Sequence, residues 1–244
     1  MRHATSATSG ETLGIQSENH PITRLIGFVS TLVFSSEFSG LVWAQQNSPD
    51  LYTLNAQLLA AARSGDEPAA LRLLEAGAKV NSRNRGGNSA LLLFTEKGNS
   101  GMVERLLDKG ADVNLANLEK VTPLMAAVHS GHSRIVRTLL DRGARTDVED
   151  QVFKTAIIYA ACNGNTEIVA MLLDAGVAVN RMYHHNLTAL MWAAGYGKVD
   201  TLRLLLERGA DPTLRDDRGK TALDMAEEQR QSAAAQLLRG TEKP

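Results

Sequence analysis

The sequence predicts an all-α solenoid of about six helix-turn-helix units with short β-hairpin tips. Three observations carry that prediction. Gly77, Gly110, Gly143, Gly176 and Gly209 stand 33 residues apart, a period typical of solenoids. A leucine pair precedes each of them: Leu73-Leu74, Leu106-Leu107, Leu139-Leu140, Leu172-Leu173 and Leu205-Leu206. A second series, Gly65, Gly98, Gly131, Gly164 and Gly197, keeps the same step. Physically, a helix ends on its buried leucines and the glycine beyond closes it in the left-handed conformation. The second series then marks the turn between the two helices of each unit. A repeat of this kind points to binding rather than chemistry and leaves the partner unnamed.

Taken in order, residues 1–24 form a polar leader without the material for a core. Arg24 precedes an apolar run from Leu25 to Phe34, and Val42-Trp43-Ala44 supplies a small-x-small site, so residues 25–44 read as a signal peptide cleaved after Ala44. The rival is an uncleaved anchor over 25–43, near the ~20 residues that span a bilayer, although Glu37 interrupts it. Residues 45–53 read as a linker, 54–240 as the repeat domain and 241–244 as a tail.

Within the domain, Ser89, Thr122, Thr155, Thr188 and Thr221 open the first helix of each unit, where a hydroxyl caps free N–H groups. Ala127, Ala160, Ala193 and Ala226 share a register that lets helices approach closely, with Phe94 as the exception. Asn81, Asn114 and Asn180 close units, with Asp147 and Thr213 as variants. The first unit lacks the Ser/Thr opening and reads as a cap, and the last is polar on its outer side, as a solenoid end requires.

These residues resemble the ankyrin repeat family. Val121-Thr122-Pro123-Leu124-Met125-Ala126-Ala127 is close to its Thr-Pro-Leu-His-x-Ala-Ala signature, and Gly131 to Ala144 matches its second helix. Met125 and Met191 stand where the family has histidine, which keeps the packing and loses a hydrogen bond. The methionine variants and the signal-like leader resemble bacterial, exported members.

Composition narrows the function further. The chain has 26 basic and 27 acidic residues and a net charge of −1, which gives no electrostatic case for nucleic acid. Cys162 is the single cysteine, so an intrachain disulfide or a cysteine-rich zinc site is excluded. His129, His132, His184 and His185 lack the spacing of a metal site, and no phosphate loop or nucleophile elbow is present. Asp216-Asp217 and Glu149-Asp150 read as solvated acidic pairs on tips. No cofactor, metal or catalytic residue is expected.

The resemblance implies that a partner protein docks on the concave face, made of tips and the exposed side of first helices. It maps the contact onto Leu118, Val121, His129, Gln151, Val152, Phe153, Lys154, Cys162, Asn163, Tyr183, His184, His185, Leu187 and Tyr196. Aromatic anchors amid polar residues are the make-up of a binding hot spot. Phe153 replaces the glycine usual at its tip. The leading reading is thus a monomeric, non-enzymatic, periplasmic or secreted protein that holds, shields or inhibits another protein. The alternatives are a scaffold tethered by residues 25–43 and a small metal- or thiol-dependent enzyme using His129 and Cys162.

Overall fold

The computed structural model describes residues 50–241. The leader, the signal-like segment, most of the linker and all but Thr241 of the tail lie outside those residues. Six helix pairs follow in order: α1 (Leu51–Ser64) with α2 (Glu67–Glu75), α3 (Ala90–Glu96) with α4 (Ser100–Asp108), α5 (Pro123–His129) with α6 (Ser133–Asp141), α7 (Ala156–Asn163) with α8 (Thr166–Asp174), α9 (Ala189–Gly195) with α10 (Val199–Glu207), and α11 (Ala222–Glu228) with α12 (Ser232–Arg239). First helices stack on first helices, and second on second. The result is the helical solenoid predicted from the registers. Helix α1 starts at Leu51 on the N-cap Asp50, so three residues assigned to the linker are helical.

The core is a continuous strip between the two rows. Leu58, Phe94, Leu106, Leu124, Leu139, Leu172 and Leu205 are all inaccessible to solvent. The alanine register at Ala127, Ala160, Ala193 and Ala226 is equally buried. Caps follow the Ser/Thr series with one exception. The side-chain oxygens of Ser89, Thr122, Thr188 and Thr221 accept from the N–H three residues on. Thr155 is buried, but its hydroxyl makes no such bond. The Thr188 N–H donates to Met191 Sδ at 3.4 Å. The thioether therefore takes over part of the role that loss of histidine was expected to leave empty.

Asparagines tie each unit to the next. Asn81 Nδ2 donates to the Gly110 carbonyl and its Oδ1 accepts from Asp112 N–H; Asn114 and Asn180 repeat this toward Gly143 and Arg145, and toward Gly209 and Asp211. Asp147 lacks the amide hydrogens and turns back to Arg145 instead.

The tips are turns rather than strands. Among the described residues only an isolated Arg83–Ser89 bridge forms. A side-chain oxygen organises most tips. Asn84, Asn117, Asp150 and Asp216 each accept two backbone N–H groups of their own tip. That makes Asp150 and Asp216 buried, at 4% and 6% exposure, and corrects the reading of both as solvated. Tip-to-tip bonds then run from Leu118 N–H to Gly86 O, Gln151 N–H to Glu119 O and Asp217 N–H to His185 O.

Burial alone would raise the Asp216 carboxyl. The Lys220 and Arg218 N–H groups and the Arg218 guanidinium outweigh it and hold the group below its usual value. A depressed carboxyl stabilises the fold above its unfolded pKa and loses that contribution as pH falls through the folded value. Urea midpoints should therefore hold from pH 7 to about 5 and drop below about pH 4. Asp216→Asn keeps both backbone bonds, as Asn84 and Asn117 do in the same register, and loses only the Arg218 pair, so it should lower stability at neutral pH by no more than about 1 kcal/mol and flatten the acid limb. A series of urea titrations against pH reads both effects, and an unchanged acid limb in the variant would refute this role.

Candidate partner-binding face

Tips and the exposed side of first helices lie on one side of the solenoid, and the side chains there change character along the array. Residues 93, 126, 159, 192 and 225 are equivalent by the repeat step and read Leu, Ala, Tyr, Trp, Met. Leu93 and Ala126 are buried, whereas Tyr159 and Trp192 are half-buried rings on the surface. Lys154 Nζ lies 5.1 Å from the Trp192 ring centroid and 5.5 Å from that of Tyr159. Such a cation–aromatic contact is worth ~0.5–2 kcal/mol. The ring of His129 meets Tyr159 edge-on at 5.4 Å, and Trp192 stacks with Tyr196 at 6.2 Å.

Beside this row a groove of about 550 Å³ is floored by Leu187, Met191, Trp192 and Met225 and edged by Tyr196, Arg218 and Glu228. It is an open surface groove rather than an enclosed pocket. The Tyr159 hydroxyl donates to Asp150 Oδ2, locking the ring against its own tip. Burial first, and that bond second, push the phenol well above its ordinary value, so Tyr159 stays neutral.

The sequence-predicted contact residues divide by position. Leu118, Val152, Phe153 and Tyr196 are exposed apolar side chains. His129, Gln151, Asn163, His184 and His185 are exposed, and Val121, Lys154 and Leu187 are half-buried. Several of the polar ones are already engaged: Gln151 Nε2 donates to Leu118 O at 2.8 Å, and Asn163 Nδ2 to His129 O at 3.1 Å. His185 Nδ1 lies 2.6 Å from Asp217 Oδ2.

Tyr183 and Cys162 require correction. Both are only 8% exposed and join the core. Tyr183 occupies the register of the tip-organising Asn84, Asn117, Asp150 and Asp216. It has no carbonyl oxygen to offer, so its tip closes instead as a short 3₁₀ turn, with His185 and Asn186 both at positive φ. Among the described residues, this tip forms no backbone bond back to the previous one; Phe153 stacks on His184 at 4.3 Å in its place.

Burial pushes the Cys162 thiol up to about 11, the opposite of what a nucleophile needs. Cys162 should therefore label only slowly with Ellman's reagent in the native protein at neutral pH and fully in denaturant. Equal rates would show it exposed.

Tyr159 and Trp192 were not singled out from the sequence. Their register was legible in the repeat step, but an aromatic at such a position reads as core until the fold shows which face it is on. Among the described residues, no group of three His, Cys, Asp or Glu is placed to hold a metal ion, and no helix is long and apolar enough to cross a membrane.

Fold and face together define a helical repeat scaffold with an extended surface of tips and first helices. The family model for ankyrin repeats matches residues 58–151, 143–216 and 186–243, and the chain belongs to the ankyrin repeat family. Ankyrin repeats are in general protein–protein interaction modules. A comparison with curated proteins returns no match.

Proposed function

We propose that this chain is an exported, non-enzymatic protein that binds a partner protein through the concave side of its third to sixth units. The observation that carries the reading is the row Tyr159, Trp192 and Tyr196, with the Lys154 ammonium against it and the apolar groove beside it. Aromatic rings on a rigid scaffold lose little entropy on docking and are the usual anchors of protein interfaces. His129, Val152, Phe153 and Leu187 extend the same surface.

The convex side offers a contrast. Its second helices carry the ion pairs Arg134–Glu104, Arg142–Asp108, Arg137–Glu167 and Arg208–Asp174, all solvent-exposed. Such surface pairs add little stability and leave a charged, self-satisfied face. Export rests on residues 25–44 and places the partner in the periplasm or outside the cell.

The test is a crosslinking pull-down from separated envelope and cytosolic fractions, with the N-terminus of the recovered bait sequenced. The expected result is a bait beginning at Gln45 that retains an envelope protein, and loss of that protein when Trp192→Ala and Tyr196→Ala are combined. A bait that begins at Met1 in the cytosol ends the export reading. A partner retained equally by the double variant ends the concave-face reading.

A further inference from the structure

The opposite end of the concave side carries a second surface of different chemistry. Tyr52 on α1 is equivalent by the repeat step to Arg85 in the following tip. The first half of α1 thus occupies the place that a preceding tip would hold. Between it and the tip at residues 82–85 lies an open surface groove of about 610 Å³ lined by Tyr52, Asn55, Arg63, Arg83, Asn84 and Arg85 over an alanine and leucine floor. Among the described residues, three guanidinium groups and no carboxylate line it.

Arg83 is fixed in place: Nε donates to Gly87 O at 2.9 Å and Nη2 to Ala116 O at 2.7 Å. Arg63 and Arg85 are exposed, and among the described residues neither pairs with a carboxylate. Their clustering, not the lack of an acid, sets them apart, because Arg72, Arg105, Arg181 and Arg203 are also without an ion pair among the described residues. Tyr52 is 82% exposed beside them.

We propose that this surface groove is an anion-binding site that takes an acidic segment of a partner protein. Side-chain carboxylates are held by the Arg63 and Arg85 forks, the fixed charge of Arg83 lies behind them, and the Tyr52 ring covers the segment's apolar stems. The argument is charge complementarity: an unpaired guanidinium fork matches a carboxylate with two parallel hydrogen bonds. The next layer sets the limit of the site. Glu96 lies there, its carboxyl pushed above the usual value by burial first and by the nearby Glu119 charge, with Lys97 opposing, so that layer is less favourable to a further carboxylate. The acidic segment therefore docks at the N-terminal end, some three to four layers from the Trp192 groove at ~10 Å each. The inference rests on the chain being a protein binder but not on the aromatic groove.

The test is fluorescence anisotropy of a labelled octaglutamate peptide titrated with the full chain. Saturable binding is expected, weakened at least tenfold by Arg63→Glu with Arg85→Glu and more modestly by Tyr52→Ala. Arg203→Glu on convex α10 should leave it unchanged. Arg63 lies in the last turn of α1, so Arg63→Gln with Arg85→Gln serves where charge reversal disturbs folding; it should weaken binding in the same direction. Absence of saturable binding by the wild-type chain overturns the proposal. So does an equal loss in Arg203→Glu, which would mean diffuse charge attraction. Displacement by inorganic phosphate as effective as by unlabelled peptide, at matched ionic strength, would show a free-anion site and overturn the peptide-docking assignment.

Discussion

Leu172→Ala is expected to lower the unfolding free energy by about 2–5 kcal/mol. Leu172 sits in α8, inaccessible to solvent, within the continuous core that joins successive units. Truncation removes the transfer energy of the lost carbons and leaves a cavity that neighbours on both sides fill only in part. In a solenoid, stability is a sum of unit terms and neighbour-interface terms. A defect in the fourth unit weakens its interfaces with the third and the fifth together, whereas the same change in a terminal unit touches only one. A urea titration should therefore show a larger midpoint shift for Leu172→Ala than for Leu238→Ala in the last helix. Equal shifts would argue against this nearest-neighbour account.

The second large effect is on binding. Trp192→Ala combined with Tyr196→Ala should weaken partner binding by at least about 2 kcal/mol, roughly thirtyfold or more, the range of a hot-spot truncation. The two changes take away the stacked pair, the face against which Lys154 rests and both aromatic rings of the groove. Stability should change far less than for Leu172, because Tyr196 is 53% exposed and Trp192 is only partly buried. Titration calorimetry with the purified partner, beside a thermal melt of the variant, separates the two quantities. Unchanged affinity with an intact fold would place the contact elsewhere.

How much of this was legible in the sequence depends on what each residue answers to. The unit boundaries were legible because helix closure needs a left-handed residue and stacking needs a small one, and both demands recur at every step. The same arithmetic would have exposed the tip register of Asn84, Asn117, Asp150 and Asp216, which explains why two acids lie buried. It would also have placed Tyr183 inside rather than out. Tyr159 and Trp192 escaped notice for another reason. Their register is filled by buried Leu93, Ala126 and Met225, and only the two rings at Tyr159 and Trp192 reach the surface. Thr155 and Met191 depart from their registers through local hydrogen-bond geometry that a residue type alone does not encode.

Phe153 carries backbone strain on the proposed contact face, in a register where Lys120 is strained too. Residues 87, 120, 153, 186 and 219 all adopt positive φ, and two of them are glycine. A phenylalanine there costs about 1–2 kcal/mol, yet its ring is half-exposed and stacked on His184. Strain kept at an exposed aromatic is the kind of local exception that accompanies a functional surface.

The central claim is that the concave side of the later units meets a partner protein, and site-specific photocrosslinking tests it most directly. A benzophenone side chain placed at Tyr196 should trap one discrete partner in native cells, and the same group at Arg203 on convex α10 should trap none. A partner trapped from Arg203 and not from Tyr196 would contradict the account.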